Sequence, residues 1–558
     1  MATLLDPTSN EQKHPKLTSA VIIGATTPIS SRLWVRVYQP GRWALVVTTQ
    51  PLTGDLVRLN NQPVADFMAS QGVRPVFMGS IDITYASNLT AVFEVNPLLP
   101  DTRYYYAVIA DTTDASVVPR RTEIGGDTPQ CFNTPPASPR EVVFGFYSCH
   151  DHISAGGDSG AWPHFAEQLS DAGAHFVIGG GDQAYVDTNG KNGFLDIWSW
   201  LKDNKAALLE KYALGGGQYD EAAIEQYLLN IYRWYYRVYW AVPALREVYE
   251  RFPQYMIWDD HEIMDGWGSL TNKERRARIS GFFEERDSKT NQLLVDLMWR
   301  AACRAYYEYE HSHNPVTPVD LNAPDNCQWD YAFRHGDAAF YVLDMRGHHD
   351  VEKNKGKKAK ADPNILLGQA QFDRFCAWLR SPDTKTARSL FVVSPVPVLH
   401  WVDRLVNYVD LGEAKDDFMD EWGHESNWKE RNQLLDTVFS EVANSGRPLV
   451  FLSGDVHCAS AFRLQHRKHP AARVYQVTSS AISRKPAPKI SLLGISSGGP
   501  MDGHTDVSSE RLYALTGNKN FSLLRARTKD DGRAEVVVDL HWPGGEEGEV
   551  TKRRLVLG

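Results

Sequence analysis

The chain has 558 residues, of which 42% are hydrophobic and 23% are charged, and this is the composition of an ordinary globular protein. A chain of this length is too long for one hydrophobic core, so we expect about two or three domains. The formal net charge of -10 argues against a general nucleic-acid-binding protein, which would be basic, and we expect no specific nucleic-acid partner.

The N-terminal segment is polar and carries no recognisable targeting signal. It lacks a basic region followed by an apolar stretch, and it lacks a twin-arginine pair. No apolar run in the chain reaches the roughly 18–20 residues that a membrane span requires. Six cysteines are scattered without CxxC spacing, which is typical of a reducing compartment. We therefore expect a cytoplasmic protein without a membrane span, with a disordered tail over residues 1–17.

Residues 18–137 are predicted to form an N-terminal β-sandwich domain. Short strands with alternating apolar residues are separated by turn sequences, and no helical period is present. This pattern is typical of a small all-β sandwich. A proline-rich segment at 135–139 is predicted to link this domain to the rest of the chain. The clearest strands are predicted at residues 31–37, 43–47, 90–95 and 103–109.

Residues 138–558 are predicted to form a layered α/β domain, because apolar strands alternate with helix-like segments. Two C-terminal segments, 534–540 and 553–557, alternate polar and apolar residues and are predicted to pair as antiparallel edge strands. The apolar strands are predicted at residues 141–147, 175–178, 255–258, 338–343, 389–393 and 449–452. The helices are predicted at residues 161–169, 224–240 and 291–309.

Some motifs of this domain have simple structural interpretations. The tyrosines of segment 224–240 recur at helical spacing, and we expect them to pack in the core. Cys303 and Cys376 lie in helix-like segments and are expected to be small apolar core residues. The lysine-rich run at 353–360 is expected to be a solvated loop, with the attraction of anionic substrates as the alternative.

Four of the predicted strands end in side chains that can bind metal ions. Ionisable groups at the end of a buried strand are costly to desolvate unless a cation, a hydrogen-bond network or open water compensates them. The alternative interpretation of any single cluster, instead of a metal site, is a group of structural ion pairs. Because the ligand-binding crevice of an α/β sheet lies outside the carboxyl ends of its strands, the four together predict one multinuclear metal site. The clusters are residues 148–152, 179–185, 259–262 and 453–458, with Asp265 close after the third.

The donor types indicate which ions such a site would hold. Thiolate and phenolate ligands together with oxygen donors favour a trivalent or readily polarised transition ion such as iron. A neighbouring all-oxygen position would suit calcium, magnesium or manganese, and the Asp182 carboxylate could bridge the two positions. Two ions about 3.5–4 Å apart can hold a phosphoryl oxygen and produce hydroxide near neutral pH. The donors come from Cys149, Asp182, Tyr185, Asp260, Asp455 and His457.

In their residues and in their order along the chain, the four clusters resemble the signature of the PhoD-type alkaline phosphatases and phosphodiesterases, a branch of the calcineurin-like metallophosphoesterases. Residues 343–346, Leu-Asp-Met-Arg, are similar to a Leu-Asp-Thr-Arg block of that family, although a methionine replaces the usual threonine. The resemblance extends over nearly the whole chain from Ser19 onward. It implies a metallophosphoesterase-like layered α/β catalytic domain preceded by a small all-β sandwich domain, and a small phosphate ester as the substrate.

The resemblance also implies how the donors are shared between two ions. The ligands implied for iron, as Fe³⁺, are Cys149, Asp182, Tyr185 and His457. The ligands implied for calcium are Asp182, Asp455 and either Asp260 or Asp265. Manganese, magnesium or zinc are alternatives in this second position. The His-Asp-His run at 150–152 departs from the family, where a glutamine commonly follows the cysteine, and its role stays open.

The expected reaction is the hydrolysis of a phosphomonoester or a phosphodiester by metal-activated hydroxide at a dinuclear site. By analogy with the Asn-His pair of the wider superfamily, Asp260 is expected to be a ligand and His261 to contact the phosphate group. A buried imidazole satisfied by Asp259 is the alternative for His261. Arg346 is expected either to clamp the phosphate group or to form an internal salt bridge with Asp344. The competing functions are a hydrolase of other esters, such as phosphotriesters, and a non-catalytic binding protein on the same scaffold.

Overall fold

The structure of the protein is a computed structural model that describes residues 16–52, 64–111, 130–188, 196–280, 287–351, 365–402, 419, 421–443, 445–543 and 550–557. Within these ranges the strands are β1 (Ala20–Thr27), β2 (Ser30–Arg36), β3 (Gly41–Thr48), β4 (Phe77–Ile83), β5 (Thr90–Val95), β6 (Arg103–Ala110), β7 (Cys131–Asn133), β8 (Glu141–Tyr147), β9 (Phe176–Gly180), β10 (Ala213–Gly215), β11 (Gln218–Tyr219), β12 (Gln254–Ile257), β13 (Tyr331–His335), β14 (Ala338–Val342), β15 (Ser389–Val393), β16 (Pro448–Ser453), β17 (Ala459–His466), β18 (Arg473–Ser479), β19 (Gly498–Pro500), β20 (Val507–Leu515), β21 (Phe521–Thr528), β22 (Ala534–Pro543) and β23 (Val550–Leu557). The α-helices are α1 (Val64–Gln71), α2 (Trp162–Ala172), α3 (Ile197–Lys211), α4 (Glu221–Tyr239), α5 (Pro243–Arg251), α6 (Asn272–Arg278), α7 (Ser288–Tyr309), α8 (Gln369–Arg380), α9 (Pro382–Thr386) and α10 (Trp428–Val442).

The N-terminal part of the chain forms two small antiparallel sheets, β1–β2–β5 and β4–β3–β6–β7. Because successive side chains of a strand point to opposite faces, alternate residues of these strands enter a shared core that includes Val21, Leu33 and Leu45. The next residue of β2, Trp34, packs in the core of the following domain, and its Nε1–H donates to the carbonyl of Glu308 at 2.7 Å. The predicted antiparallel β-sheet region at the N-terminus is therefore confirmed, although it also contains helix α1, which the sequence did not predict. Its boundaries at residues 18 and 137 stay predictions.

Two large mixed sheets form the centre of the rest of the chain. Their strand orders are β12–β9–β8–β21–β22–β23 and β13–β14–β15–β16–β18–β17–β20–β19. β12, β9 and β8 run parallel to one another, as do β14, β15, β16 and β18. The sheets pack face to face, because the ring of Phe144 on β8 lies 5.3 Å from Phe340 on β14 and 5.1 Å from Phe391 on β15.

Helices cover the outer faces of both large sheets. On the six-stranded sheet, α2 approaches so closely that a Cβ atom on Gly145 of β8 would lie 2.6 Å from the ring of Phe165. On the eight-stranded sheet, Phe375 of α8 and Val438 of α10 pack against Tyr341 and its neighbours. The arrangement confirms the predicted layered α/β class, although the sequence did not predict that the strands divide into two facing sheets.

The predicted elements agree well with the observed ones. The strands predicted at 141–147 and 389–393 have the observed bounds of β8 and β15, and the tyrosines of α4 at 232, 235, 236 and 239 are buried, as predicted. β22 and β23 pair antiparallel as predicted, but only β23 is an edge strand, because β21 pairs with the other side of β22. The run at 353–360 lies outside the described residues.

Several smaller predictions concern the N-terminus and the cysteines. Residues 1–15 of the predicted tail lie outside the described residues, whereas Leu17 is buried and its N–H donates to the carbonyl of Arg237 at 2.6 Å. All six cysteines are free; Cys303 is buried as predicted, and Cys376 is only half-buried. Among the described residues, no helix combines the length and the apolarity that crossing a bilayer requires.

Candidate metal centre

The four clusters predicted from the sequence meet at one edge of the two large sheets. β8, β9 and β12 are neighbouring parallel strands, so the residues that follow them leave the same edge of the six-stranded sheet. The end of β16 in the facing sheet brings Asp455 and His457 to the same place. The first two loops are tied together, because the N–H of Cys149 donates to the carbonyl of Gly181 at 3.2 Å.

Backbone strain is concentrated at the donor residues. Residues other than glycine seldom adopt a positive φ, which costs about 1–3 kcal/mol each. The φ angles of the donors in this left-handed region are 57° for Cys149, 59° for Asp182, 63° for Asp455 and 50° for His457. Within the described ranges, the other such residues that are not glycine lie in the N-terminal part: Asn88, Leu89 and Asp101. Strain of this kind persists where the surrounding structure imposes it, and it is typical of functional sites.

The glycine before each Gly-Asp carboxylate allows the loops to approach one another. Gly181 has a φ of 107°, and a Cβ atom there would lie 2.8 Å from the Cβ atom of Asp259. A Cβ atom on Gly454 would lie 2.4 Å from the Cβ atom of Ser148. Side chains at these two positions would therefore push the loops apart.

The donors predicted to hold iron form one compact group. The Sγ atom of Cys149 lies 3.2 Å from Oδ2 of Asp182, and the Tyr185 hydroxyl donates to the same oxygen at 2.8 Å. The Tyr185 hydroxyl also lies 3.4 Å from Nε2 of His457. Donor atoms of Cys149, Asp182 and His457 all lie within 4.8 Å of one another. A thiolate, a carboxylate, a phenolate and an imidazole are thus placed to ligate a single ion.

Asp182 also belongs to two further groups of donor atoms that lie within 4.8 Å of one another. One contains Asp259 and Asp455, and the other contains Asp260 and His261. The Oδ1 atom of Asp182 is buried and has no hydrogen-bond partner among the described residues. A buried carboxylate oxygen without a partner is costly, and a bound cation would compensate it. These residues therefore fit two metal positions that share Asp182.

The electrostatics of the group also favour bound cations. Burial raises the pKa of Asp182, which His261 partly offsets and Asp260 raises further. Burial and the carboxylates of Asp259 and Glu421 raise the pKa of Asp455 well above its usual range. Carboxylates this close stay ionised near neutral pH only when positive charge compensates them, and divalent or trivalent ions supply it.

Asp260 is placed as a ligand, and Asp265 is not. The Asp260 side chain lies beside Asp182, and its Oδ2 accepts the backbone N–H of Gly266 at 2.7 Å. The Asp265 side chain is 39% exposed and lies 3.7 Å from Arg278. Asp265 approaches His261 and Asp187 rather than Asp182. Of the two alternatives, the geometry favours Asp260, because the position of Asp265 in the loop directs it away from the shared carboxylate; ligation by either residue stays a prediction.

Glu262 holds the loop that carries Asp182. Its carboxylate accepts the backbone N–H groups of Asp259 at 2.8 Å and of Asp182 and Ala184 at 3.2 Å, and it also accepts that of Gln183. Four backbone donors of two loops are thus satisfied by one buried side chain. Glu262 therefore supports the site through the backbone of its loops rather than as a ligand.

His261 is oriented by a residue that the sequence analysis missed. Its Nδ1 lies 2.8 Å from Oδ1 of Asp187, so Asp187 rather than Asp259 is its partner. Burial alone would lower the pKa of His261, but Asp187, Asp260 and Asp182 together raise it well above its usual range. The contact with Nδ1 leaves Nε2 as the ring nitrogen that can reach a substrate. The spacing of Asp187, two residues beyond Tyr185, is the signal that could have identified it.

Arg346 forms an internal salt bridge. Its side chain is 2% exposed, its Nε donates to Asp259, and its Nη1 donates to the carbonyl of Trp267 at 2.8 Å. The Asp344 side chain accepts the backbone N–H of Arg346 at 3.0 Å. The expected internal salt bridge is therefore present, with Asp259 as the partner instead of Asp344. The burial of the guanidinium favours a positioning role, and the phosphate clamp stays a prediction.

The His-Asp-His run after Cys149 has structural contacts. Nε2 of His150 lies 2.8 Å from the carbonyl of Tyr239, and its Nδ1 accepts the Nε1–H of Trp162 at 3.0 Å. Burial lowers the pKa of His150 to about 3, so the ring is neutral. The ring of His152 stacks on that of His150 with centroids 5.2 Å apart. These two histidines support the loop that carries Cys149 instead of adding ligands.

Arg484 is a second residue that the sequence analysis missed. It lies five residues after β18, and its guanidinium carbon lies 4.3 Å from the ring centroid of Tyr185. Its Nη1 pairs with Oδ2 of Asp151 at 2.5 Å. No cluster pattern marks this loop, because a single arginine among serines and prolines has no distinctive spacing.

Comparisons with known proteins agree with this geometry. The family model described as PhoD-like phosphatase matches residues 144–531, which is more than half of the chain. A solved structure described as the structure of PhoD has a TM-score of 0.63 at 17% identity, over 98% of this chain and 90% of that one, which shows the same fold.

Two curated relatives are similar in sequence. The uncharacterized protein YGR266W of Saccharomyces cerevisiae is 25% identical over 337 residues, which are 53% of this chain and 46% of that protein. Alkaline phosphatase D of Bacillus subtilis is 25% identical over 342 residues, which are 59% of this chain and 48% of that protein. The chain thus spans about half the length of the curated relatives that it matches. Together with the extent of the family-model match, these findings show that the chain belongs to the PhoD-like phosphatase family.

Proposed function

We propose that the protein hydrolyses phosphate esters, either monoesters or diesters, at a dinuclear metal site that shares Asp182. The observation that carries the proposal is the convergence of donor atoms from Cys149, Asp182 and His457 within 4.8 Å, with further carboxylates beside the same aspartate. Membership of the PhoD-like phosphatase family supports the reaction class.

The chemistry of the donors supports an assignment of the ions. The group with thiolate and phenolate donors suits iron as Fe³⁺. The carboxylates beside Asp182, which are Asp455 in one group and Asp260 in another, suit calcium, with manganese, magnesium or zinc as alternatives. When bound, such ions act as Lewis acids toward the phosphoryl group and lower the pKa of water. Burial and Asp182 raise the pKa of the Cys149 thiol, so its role as a thiolate ligand depends on this positive charge.

His261 is the residue of this chain that we propose to move a proton. Asp187 accepts its Nδ1–H and fixes the ring, so Nε2 is directed to the substrate. The surrounding carboxylates raise the pKa of His261, which keeps the ring protonated near neutral pH. It can then donate to a non-bridging oxygen or to the leaving oxygen of the ester, which stabilises the charge that develops there.

The proposal is tested by elemental analysis of the purified protein together with assays of three esters. We expect turnover of p-nitrophenyl phosphate, of its bis-ester or of both, by protein with verified metal content. Turnover of a phosphotriester alone would support a different hydrolase. No turnover of any of the three by metal-containing protein would contradict the proposal and support a binding protein instead.

A further inference from the structure

Among the described residues, Arg346 and Arg484 approach the candidate metal centre, and they differ in their freedom to bind a substrate. Arg346 has a side chain that is 2% exposed, and its guanidinium is engaged by Asp259 and by the carbonyl of Trp267. Arg484 has a side chain that is 24% exposed. Only Arg484 therefore combines a position beside the ligands with access from solvent.

Arg484 is held in place by three contacts with the site. Its backbone N–H donates to the carbonyl of Cys149 at 3.2 Å. Its Nη1 pairs with buried Asp151 at 2.5 Å, and the guanidinium lies against the ring of Tyr185. Since the Tyr185 hydroxyl donates to Asp182 at 2.8 Å, the ring that supports Arg484 also joins it to the shared carboxylate. The contacts fix the orientation of the guanidinium before a substrate binds.

The guanidinium keeps donors for a further partner. It carries five N–H donors, of which the salt bridge with Asp151 uses those at Nη1. Among the described residues, no hydrogen bond engages Nε or Nη2 of Arg484. These two nitrogens form the edge of the fork that binds two oxygens of a phosphate group in parallel.

We propose that Arg484 binds the phosphate group of the substrate and favours a terminal phosphate over a diester. The inference rests on the proposed function. A terminal phosphate carries a charge of about -1.5 to -2 near pH 7 and offers three oxygens. A diester carries a single negative charge and offers two unsubstituted oxygens, so the same guanidinium attracts it less.

The experiment compares Arg484→Ala and Arg484→Lys with Lys485→Ala, whose side chain is exposed on the next residue. Inorganic phosphate is titrated calorimetrically into each metal-containing protein, and kcat/KM is measured for p-nitrophenyl phosphate and its bis-ester. We expect Arg484→Ala to bind phosphate about 10- to 100-fold more weakly and to lose most of its preference for the monoester. Arg484→Lys keeps the charge without the fork and should lie between Arg484→Ala and the parent protein. Lys485→Ala should match the parent protein.

Other outcomes separate this inference from the proposed function. If the parent protein hydrolyses no ester, the proposed function fails, and the phosphate titration still decides whether Arg484 binds an anion. If the parent is active and Arg484→Ala keeps its phosphate affinity and its ratio of monoester to diester turnover, the inference alone is wrong. If both Arg484 variants lose metal, the residue is structural and the inference is also wrong.

Discussion

Among the described residues, a second group of histidine and carboxylate side chains, outside the candidate metal centre, has donor atoms at similarly short distances but is not built like a metal centre. In the second group, Nε2 of His466 and Nε2 of His504 each lie 3.2 Å from the same oxygen of Asp436. Its spacing matches that of the groups at Asp182, since its donor atoms also lie within 4.8 Å of one another. The difference lies in the surroundings of the donors.

The Nδ1 atoms of the two histidines in the second group already accept backbone hydrogen bonds. Nδ1 of His466 accepts the backbone N–H of Lys468 at 3.1 Å, and Nδ1 of His504 accepts that of Asp506 at 3.3 Å. A neutral imidazole that accepts at Nδ1 carries its proton on Nε2, so it presents a donor to Asp436 and no lone pair to a metal. The Asp436 side chain is also 59% exposed, so water solvates its charge. Burial and the direction of the lone pairs therefore distinguish a metal centre from a cluster of suitable residues.

The largest expected effect comes from removing the shared carboxylate. Asp182→Asn should lose at least about 100-fold in phosphoesterase activity together with bound metal, since even residues that merely orient metal ligands contribute about 10- to 100-fold. The matched control is Asp436→Asn, which should keep the metal content and the activity of the parent protein. A loss of metal from Asp436→Asn that equals the loss from Asp182→Asn would break the comparison between the two groups.

The next effect concerns the thiolate and the phenolate, which the second group lacks. If Cys149 and Tyr185 ligate iron, the purified protein should have a visible charge-transfer absorption that weakens in Cys149→Ala and in Tyr185→Phe. Cys303→Ala removes a buried cysteine of α7 that is remote in sequence from all four clusters and should keep the band. Retention of the band in both ligand variants would show that the iron ligands are assigned wrongly.

A smaller effect should follow from the way in which His261 is oriented. Its Nδ1 faces a carboxylate, whereas those of His466 and His504 accept backbone N–H groups. Asp187 raises the pKa of His261, so Asp187→Asn should lower it. Because the protonated ring is the proposed donor, activity is lost as the pH rises through this pKa, and the loss should begin at lower pH in the variant.

The measurement for this prediction is the pH profile of kcat/KM. We expect Asp187→Asn to shift the alkaline limb to lower pH and to reduce the maximum about tenfold. Asp265→Asn changes a half-exposed neighbour and should leave the profile in place. Equal shifts in the two variants would mean that Asp187 does not orient His261 specifically.

The smallest effect concerns His150, to which we assign a structural role. Like His466 and His504, it accepts a hydrogen bond at Nδ1. Burial lowers the pKa of His150 to about 3, whereas its pKa in the unfolded chain is about 6.5. Between these two pH values, the unfolded chain therefore binds a proton that the folded chain does not bind. The contribution of His150 to stability is therefore complete above about pH 6.5 and declines as the pH falls toward about 3. In His150→Gln this decline is absent, so the stability difference from the parent should shrink by about 1 kcal/mol between about pH 7 and about pH 5.5. Urea denaturation at both pH values measures the difference, and an unchanged difference would contradict the assignment.

The strand ends and the ligand clusters could be predicted from the sequence because both depend on local patterns. An apolar strand that ends in Gly-Asp or Cys places these residues at the carboxyl edge of a parallel sheet, wherever the strand lies in that sheet. The order of the sheets could not be predicted in the same way. β20 has four consecutive polar residues at 508–511, and its pairing with β17 and β19 depends on contacts distant in sequence.

The residues that the sequence analysis missed or misassigned reach the site through loops. Asp187 and Arg484 lie outside the four clusters and approach His261 and Tyr185 only after the chain folds. Sequence distance favoured Asp344, two residues before Arg346, as the partner of the guanidinium. In the folded protein the guanidinium instead lies against Asp259. Partner choice between charged residues depends on loop geometry that no local pattern encodes.

The left-handed backbone at Cys149, Asp182, Asp455 and His457 has a consequence for how metal ions are acquired. These conformations are maintained by contacts of the protein itself, such as the hydrogen bonds that backbone N–H groups of the loop at Asp182 donate to the Glu262 carboxylate. The loss of conformational entropy that ordering these loops requires therefore takes place during folding, and an arriving ion meets donors that are already arranged. Unlike a zinc finger, whose fold forms only around its ion, this domain should keep its fold during exchange of one metal for another.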